Sequence, residues 1–142
     1  MDPRYFHLRL DVRSYEIDSF GHVNNAVYLQ WLEQGRSALA RAWGLEAGGP
    51  LGLLPVLRHI TLDFQAEVIW GDSIELSIWP RRVGNTSMLL GGRVRIVSAS
   101  QPARQDRVAL VAEQTLVCIR RGIGKIPVPD AWRQAFPAED PG

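Results

Sequence analysis

Asn24-Asn25-Ala26-Val27-Tyr28-Leu29-Gln30-Trp31-Leu32-Glu33-Gln34-Gly35-Arg36-Ser37-Ala38-Leu39-Ala40-Arg41-Ala42-Trp43 is the stretch on which the fold turns. Tyr28, Trp31, Leu32, Gly35, Leu39 and Ala42 recur at helical spacing, and neither proline nor a β-branched run interrupts them. Asn24 or Asn25 can cap the start, because a short amide side chain accepts from the free N–H groups of a first turn. Gly44 follows where a helix end favours positive φ. The pattern predicts one helix of about five turns. Trp31 and Trp43 predict that it is heavily buried.

On either side of this helix the period falls to two. Phe6, Leu8, Leu10 and Val12 alternate with His7, Arg9, Asp11 and Arg13, as in a half-buried strand. Gly44 to Pro55, rich in Gly and Pro, reads as a loop. Ile60, Leu62 and Phe64 then alternate with polar residues, and a turn at Gly71-Asp72 leads into Ile74, Leu76 and Ile78. Gly84-Asn85 is a tight-turn signal, after which Met88, Leu90, Val94 and Ile96 share one parity. Gly91-Gly92 predicts a bend or bulge there. Past the polar loop Ser98 to Asp106, Val108 to Ile119 is apolar on both parities, the mark of a central strand. Trp79, on the polar face of its strand, and Trp70 predict a covered face, with a second copy of the chain as the cover. The tail, about 122–142, is proline-rich, with a short helical turn expected near Ala131-Trp132-Arg133. The economical solution is α+β: a five-stranded antiparallel sheet wrapped around one long central helix, in a single domain spanning 1–142.

Composition narrows the function. Of 142 residues, 46% are hydrophobic and 22% charged, which fits a globular core rather than disorder. The 16 basic and 15 acidic residues leave a formal charge of +1, too little for broad phosphate-backbone contacts, so no nucleic-acid partner is expected. Cys118 is the one cysteine, so neither an intrachain disulfide nor a thiolate-rich metal site is available. His7, His22 and His59 lie far apart, without ligand spacing, and no metal or cofactor is expected. No apolar run approaches the roughly eighteen residues of a membrane span. The opening Met1-Asp2-Pro3-Arg4-Tyr5 lacks the layout of a secretory signal, so a cytoplasmic protein with no membrane partner is expected.

Chemistry concentrates at Tyr15-Glu16-Ile17-Asp18-Ser19-Phe20-Gly21-His22-Val23-Asn24-Asn25-Ala26-Val27-Tyr28, between first strand and helix. Gly21 allows a sharp turn or close approach of a ligand. The helix start offers unpaired N–H groups and the positive end of a dipole. A carboxylate, a histidine and free amide donors at one junction are the parts acyl transfer requires. The same residues also suit a plain helix entrance, with Asp18 and Asn24 as caps and His22 filling a turn. Spacing alone leaves both readings open.

The motif Asp18-x-x-Gly21-His22-Val23-Asn24-Asn25-x-x-Tyr28, followed by Trp31 and Glu33, resembles the signature of hot-dog-fold acyl-CoA thioesterases, in the branch named for hydroxybenzoyl-CoA thioesterase. Ile60-x-Leu62-x-Phe64, Gly71-Asp72, Arg82-Val83-Gly84-x-x-Ser87 and Pro127-x-Pro129-Asp130 extend the resemblance over most of residues 5–136. The resemblance implies hydrolysis of an acyl-CoA to a free acid and CoA, without a cofactor. It puts Asp18 in the place of the catalytic carboxylate, as general base or nucleophile, and the Asn25 backbone N–H in that of the donor to the thioester carbonyl. It implies substrate-binding places for His22, Asn24, Tyr28, Ser87, and for Arg81 and Arg82 toward the CoA nucleotide. It further implies a homodimer or a dimer of dimers, with the acyl-CoA slot between subunits. An acyl-acyl carrier protein thioesterase and a non-catalytic acyl-CoA-binding dimer of the same fold are the alternatives.

Overall fold

The computed structural model describes residues 4–43 and 53–138. The alternating N-terminal stretch forms β1 (Phe6–Asp11), and the helical stretch forms α1 (Asn25–Ala42). Asn24 caps α1, its side chain accepting from the Ala26 N–H at 2.9 Å. Four long strands follow: β2 (Leu53–Phe64), β3 (Ser73–Val83), β4 (Ser87–Ser98) and β5 (Val108–Arg120). All pair antiparallel in the order β1-β3-β4-β5-β2. Two residues, β6 (Gly124–Lys125), fold back on the end of β5, and a short α2 (Asp130–Arg133) falls where the helical turn was expected. The five expected strands and the central helix are thus present, with β6 as a small addition.

Helix α1 lies on the inner face of the sheet. Trp31, Leu32, Gly35 and Leu39 face inward, sharing one core with Ile74, Leu76 and Ile78 of β3 and Val94 and Leu110 of β4 and β5. Each large apolar side chain sealed here contributes about 1.5–3 kcal/mol, so this stripe holds the helix to the sheet. Strand β5 is an interior strand, between β4 and the edge strand β2, but the middle of the sheet is β4, and the outer face of β5 is open at Glu113.

Three further details differ from expectation. Strand β2 begins at Leu53, inside the segment read as a loop; the rest of that segment, Gly44 included, lies outside the described residues. Pro55 is tolerated because β2 is an edge strand. It sits opposite Cys118, whose own N–H goes to Thr86 and whose carbonyl accepts from Ile126, so the proline nitrogen faces the open side. At Gly91-Gly92 the ladder is regular rather than bulged, and the nearby register shift falls further along, between Pro80 and Arg82 opposite Leu90 and Leu89. Gly91 instead makes room: a Cβ there would overlap the Trp79 indole. Trp79 needs no second copy as cover. It is only 8% exposed, beneath Tyr5 of its own chain, whose ring stacks on it with centroids 4.9 Å apart. Trp70, in contrast, stays 60% exposed.

Candidate active site

The chain between β1 and α1 is fastened from both sides. Glu16, 4% exposed, closes a 3-10 turn (Ser14–Glu16) with both carboxylate oxygens occupied. One accepts from the Arg13 N–H at 2.7 Å, the other from the Trp31 indole N–H at 2.9 Å. The Asn24 N–H returns to the Glu16 carbonyl at 3.0 Å, and Ile17 bridges Val23. Between them the chain reverses: the Asp18 N–H donates to the His22 carbonyl and the Gly21 N–H to the Asp18 carbonyl, with Gly21 at φ 86°. The far side is tied to the segment after β2, where the Val23 N–H meets the Val68 carbonyl at 2.8 Å and His22 bridges Ile69. A short hairpin carrying Asp18 is thus held between the helix start and the sheet end.

On this hairpin the half-buried Asp18 side chain accepts from the Phe20 N–H at 2.9 Å through Oδ1, while Oδ2 meets no donor among the described residues. Asn24 is spent on capping: its side chain takes the Ala26 N–H and its carbonyl takes the Val27 N–H. That leaves the Asn25 N–H, at the positive end of an 18-residue helix, without an acceptor among the described residues. His22 turns Nδ1 toward the Val23 carbonyl at 3.4 Å, and Phe20, 83% exposed, lies over its ring. Tyr28 is 3% exposed, edge-on to Trp31 and Phe64, so within one chain it forms the wall behind the junction. Burial pushes its phenol up to about 12, against an opposing backbone hydrogen bond at Val68, and it stays neutral.

The junction gathers Asp18, His22, Asn24 and Asn25, with Tyr28 behind them. Arg81, Arg82 and Ser87 lie elsewhere. They flank the β3–β4 hairpin, and at about 3.3 Å per residue the length of β3 sets them on the order of 30 Å from the Asp18 end of one chain. Arg81 pairs with Glu113, Arg82 is exposed, and the Ser87 carbonyl accepts from the Gly84 N–H. Asp72 and Arg104, which sequence reasoning passed over as turn and loop residues, brace the site from below. Fully buried, Asp72 accepts from the Ile69 and Ser100 N–H groups, each at 3.0 Å, and from Arg104 at 2.6 Å. Burial alone would raise its pKa; these donors and the Arg104 charge more than offset it and hold the carboxyl below its ordinary range. Arg104 also reaches the Glu67 carbonyl. Buried Cys118 is a packing residue, its thiol pushed up by burial despite the nearby Arg133 charge.

A sequence model of the thioesterase-like superfamily matches residues 12–136, the whole of this arrangement from the end of β1 to past α2. The chain belongs to that superfamily. Among curated proteins the chain is similar to a chloroplastic acyl-acyl carrier protein thioesterase of Arabidopsis thaliana, 32% identical over 85 residues. That match takes in 58% of this chain and 43% of the plant protein, so the chain spans less than half the length of the curated relative it matches. A putative thioesterase from Pseudomonas aeruginosa superposes with a TM-score of 0.79 at 27% identity, over 91% of this chain and 95% of that one. A thioesterase-superfamily protein from Jannaschia sp. CCS1 reaches 0.83 at 26%, over 96% and 83%. A 1,4-dihydroxy-2-naphthoyl-CoA thioesterase from Synechocystis, 18% identical with a TM-score of 0.78 over 93% and 95%, shares the fold. The chain has the hot-dog fold of that superfamily. Among the described residues no helix is long and apolar enough to cross a membrane.

Proposed function

We propose that this thioesterase hydrolyses acyl-CoA thioesters at the Asp18–Asn25 junction, with no cofactor. The observation that carries the reading is the pair of unspent groups at one helix start: the Asp18 Oδ2 and the Asn25 N–H. A thioester carbonyl set against that N–H is polarised by a donor and a helix dipole that need no rearrangement. Such a donor is worth about 3 kcal/mol of barrier. As general base, Asp18 takes a proton from water while the water oxygen bonds to the carbonyl carbon; the oxyanion then collapses, the C–S bond breaks, and the thiolate takes the proton. As nucleophile, the Asp18 carboxylate would bond to the carbonyl carbon while the C–S bond breaks and the thiolate leaves; water then opens the mixed anhydride, giving the free acid and Asp18 again, and its proton goes to the thiolate. His22 and Asn24 border the same entrance and orient the substrate.

The basic residues enter through a second copy. Strand β2 ends the sheet with an open edge. Two-fold antiparallel pairing of β2 with itself would lay the Phe64 end of one chain beside the Leu53 end of the other. The β3–β4 hairpin belongs to the Leu53 end, since Pro55 faces Cys118 and Cys118 bonds Thr86. Arg82 and Ser87 of the partner subunit would then approach the Asp18 junction, and a guanidinium fork there suits the CoA phosphates. The plant relative named for acyl-acyl carrier protein favours a second carrier, so both carriers belong in the assay.

The test is turnover of short-, medium-, long-chain and aromatic acyl-CoAs, and of acyl-acyl carrier proteins, with thiol detection. Asp18→Asn and Asp18→Ala should lower kcat about a hundredfold with the fold and oligomeric state unchanged. Near-normal turnover in those variants would remove Asp18 from the mechanism.

A further inference from the structure

Between the C-terminal half of α1 and the inner face of the sheet lies a cavity of about 380 Å³, walled by Glu33, Arg36, Ser37 and Arg41 on one side and Leu57 and Leu116 on the other. That volume lies within the roughly 300–1,000 Å³ usual for small-molecule sites. It continues into a narrow cleft of about 60 Å³ among Leu39, Trp43, Met88, Leu90, Trp132 and Phe136. Arg36, Ala40, Pro55 and Leu116 line both, so a polar cavity and an apolar cleft adjoin at these side chains.

Arg36 sits where the two parts meet. Its Nη1 donates to the Gln114 side-chain carbonyl at 2.6 Å. Gln114 is wholly buried, and its Nε2 has no acceptor among the described residues. A guanidinium has five N–H donors, so one bond to Gln114 leaves a fork for an anion. Burial lowers the pKa of Arg36, with Glu33 opposing, yet an arginine remains a cation at working pH. Among the described lining residues Glu33 is the one acid, and it stands one turn from Arg36. Arg36 lies eleven residues along α1 from Asn25, about 16 Å at 1.5 Å per residue, well away from the thioester end of its own chain.

We propose that this cavity is a binding site for a free carboxylic acid with a short to medium apolar tail, its carboxylate on the Arg36 fork and its tail in the cleft beneath α2. Such an acid is the class of product that thioester hydrolysis releases, and its binding here does not require Asp18.

Calorimetric titration of the full chain with octanoate tests this, with Trp43 and Trp132 emission as a second readout. Octanoate should bind saturably, one per chain, and at least tenfold more tightly than octan-1-ol. Arg36→Gln should weaken octanoate about tenfold and leave octan-1-ol unchanged. Ala40→Trp, which fills the passage, should abolish binding of both, and Asp18→Asn should bind as the parent does. Equal binding of acid and alcohol by the parent chain, or octanoate binding that survives Ala40→Trp, would overturn the proposal. So would loss of octanoate binding in Asp18→Asn, which would put the acid at the junction. Should Arg36→Gln fail to fold, the acid-to-alcohol ratio and Ala40→Trp still decide.

Discussion

Asp72 illustrates how a buried residue outside the Asp18 hairpin holds that hairpin in place. Its carboxylate gathers the Ile69 and Ser100 amides and the Arg104 guanidinium, and Ile69 in turn bridges His22 on the hairpin that carries Asp18. Asp72→Asn would leave Arg104 largely buried beside a neutral amide, at a cost of about 3 kcal/mol. The sign with pH follows from its lowered pKa. A carboxyl that ionises more readily folded than unfolded contributes its full stability above the unfolded value of about 3.9, and loses it as pH falls through the folded value. Urea midpoints of parent and Asp72→Asn should therefore differ at pH 7 and 5 and converge in stronger acid; a gap that persists at the lowest pH would show that the ion pair is not the source. In sequence Asp72 showed only as half of a Gly71-Asp72 turn. Two of its three partners, Ser100 and Arg104, stand about thirty residues on, in a polar loop with no periodicity, so no local pattern could join them.

Elements were legible where one period ran uninterrupted. Helix α1 announced itself through Tyr28, Trp31, Leu32 and Leu39, and its Asn24 cap through the chemistry of a short amide. The entrance motif of Asp18, Gly21 and His22 was visible for the same reason: its members are local, and the hairpin they form closes on itself. What escaped was whatever depends on a neighbouring strand. Pro55 argued for a loop until its place on an edge strand became clear, and the Gly91-Gly92 pair argued for a bulge because the indole above Gly91 comes from β3. Gly91→Val tests that last point. The added side chain must displace Trp79, so we expect a loss of about 1–3 kcal/mol in chemical unfolding, with kcat little changed because the Asp18 junction lies elsewhere. A variant as stable as the parent would mean the indole moves aside freely.

At the scale of the whole molecule the proposed assembly rests on the open β2 edge. Leu62 faces Ala112, which has the parity of Cys118 on β5, so the Leu62 N–H, like the Pro55 nitrogen, turns outward. Leu62→Pro deletes an outward donor while sparing the ladder to β5, and a sheet edge without its donors resists pairing. Sedimentation velocity should show weaker self-association for this variant, with thioesterase activity falling in step. Full dimerisation would place the contact on another surface. The opposite side of the sheet carries its own shield, since Tyr5 lies flat over Trp79. This shield is a single ring just ahead of β1. Removing it, as Tyr5→Ala would, turns a quiet outer wall into an adhesive one.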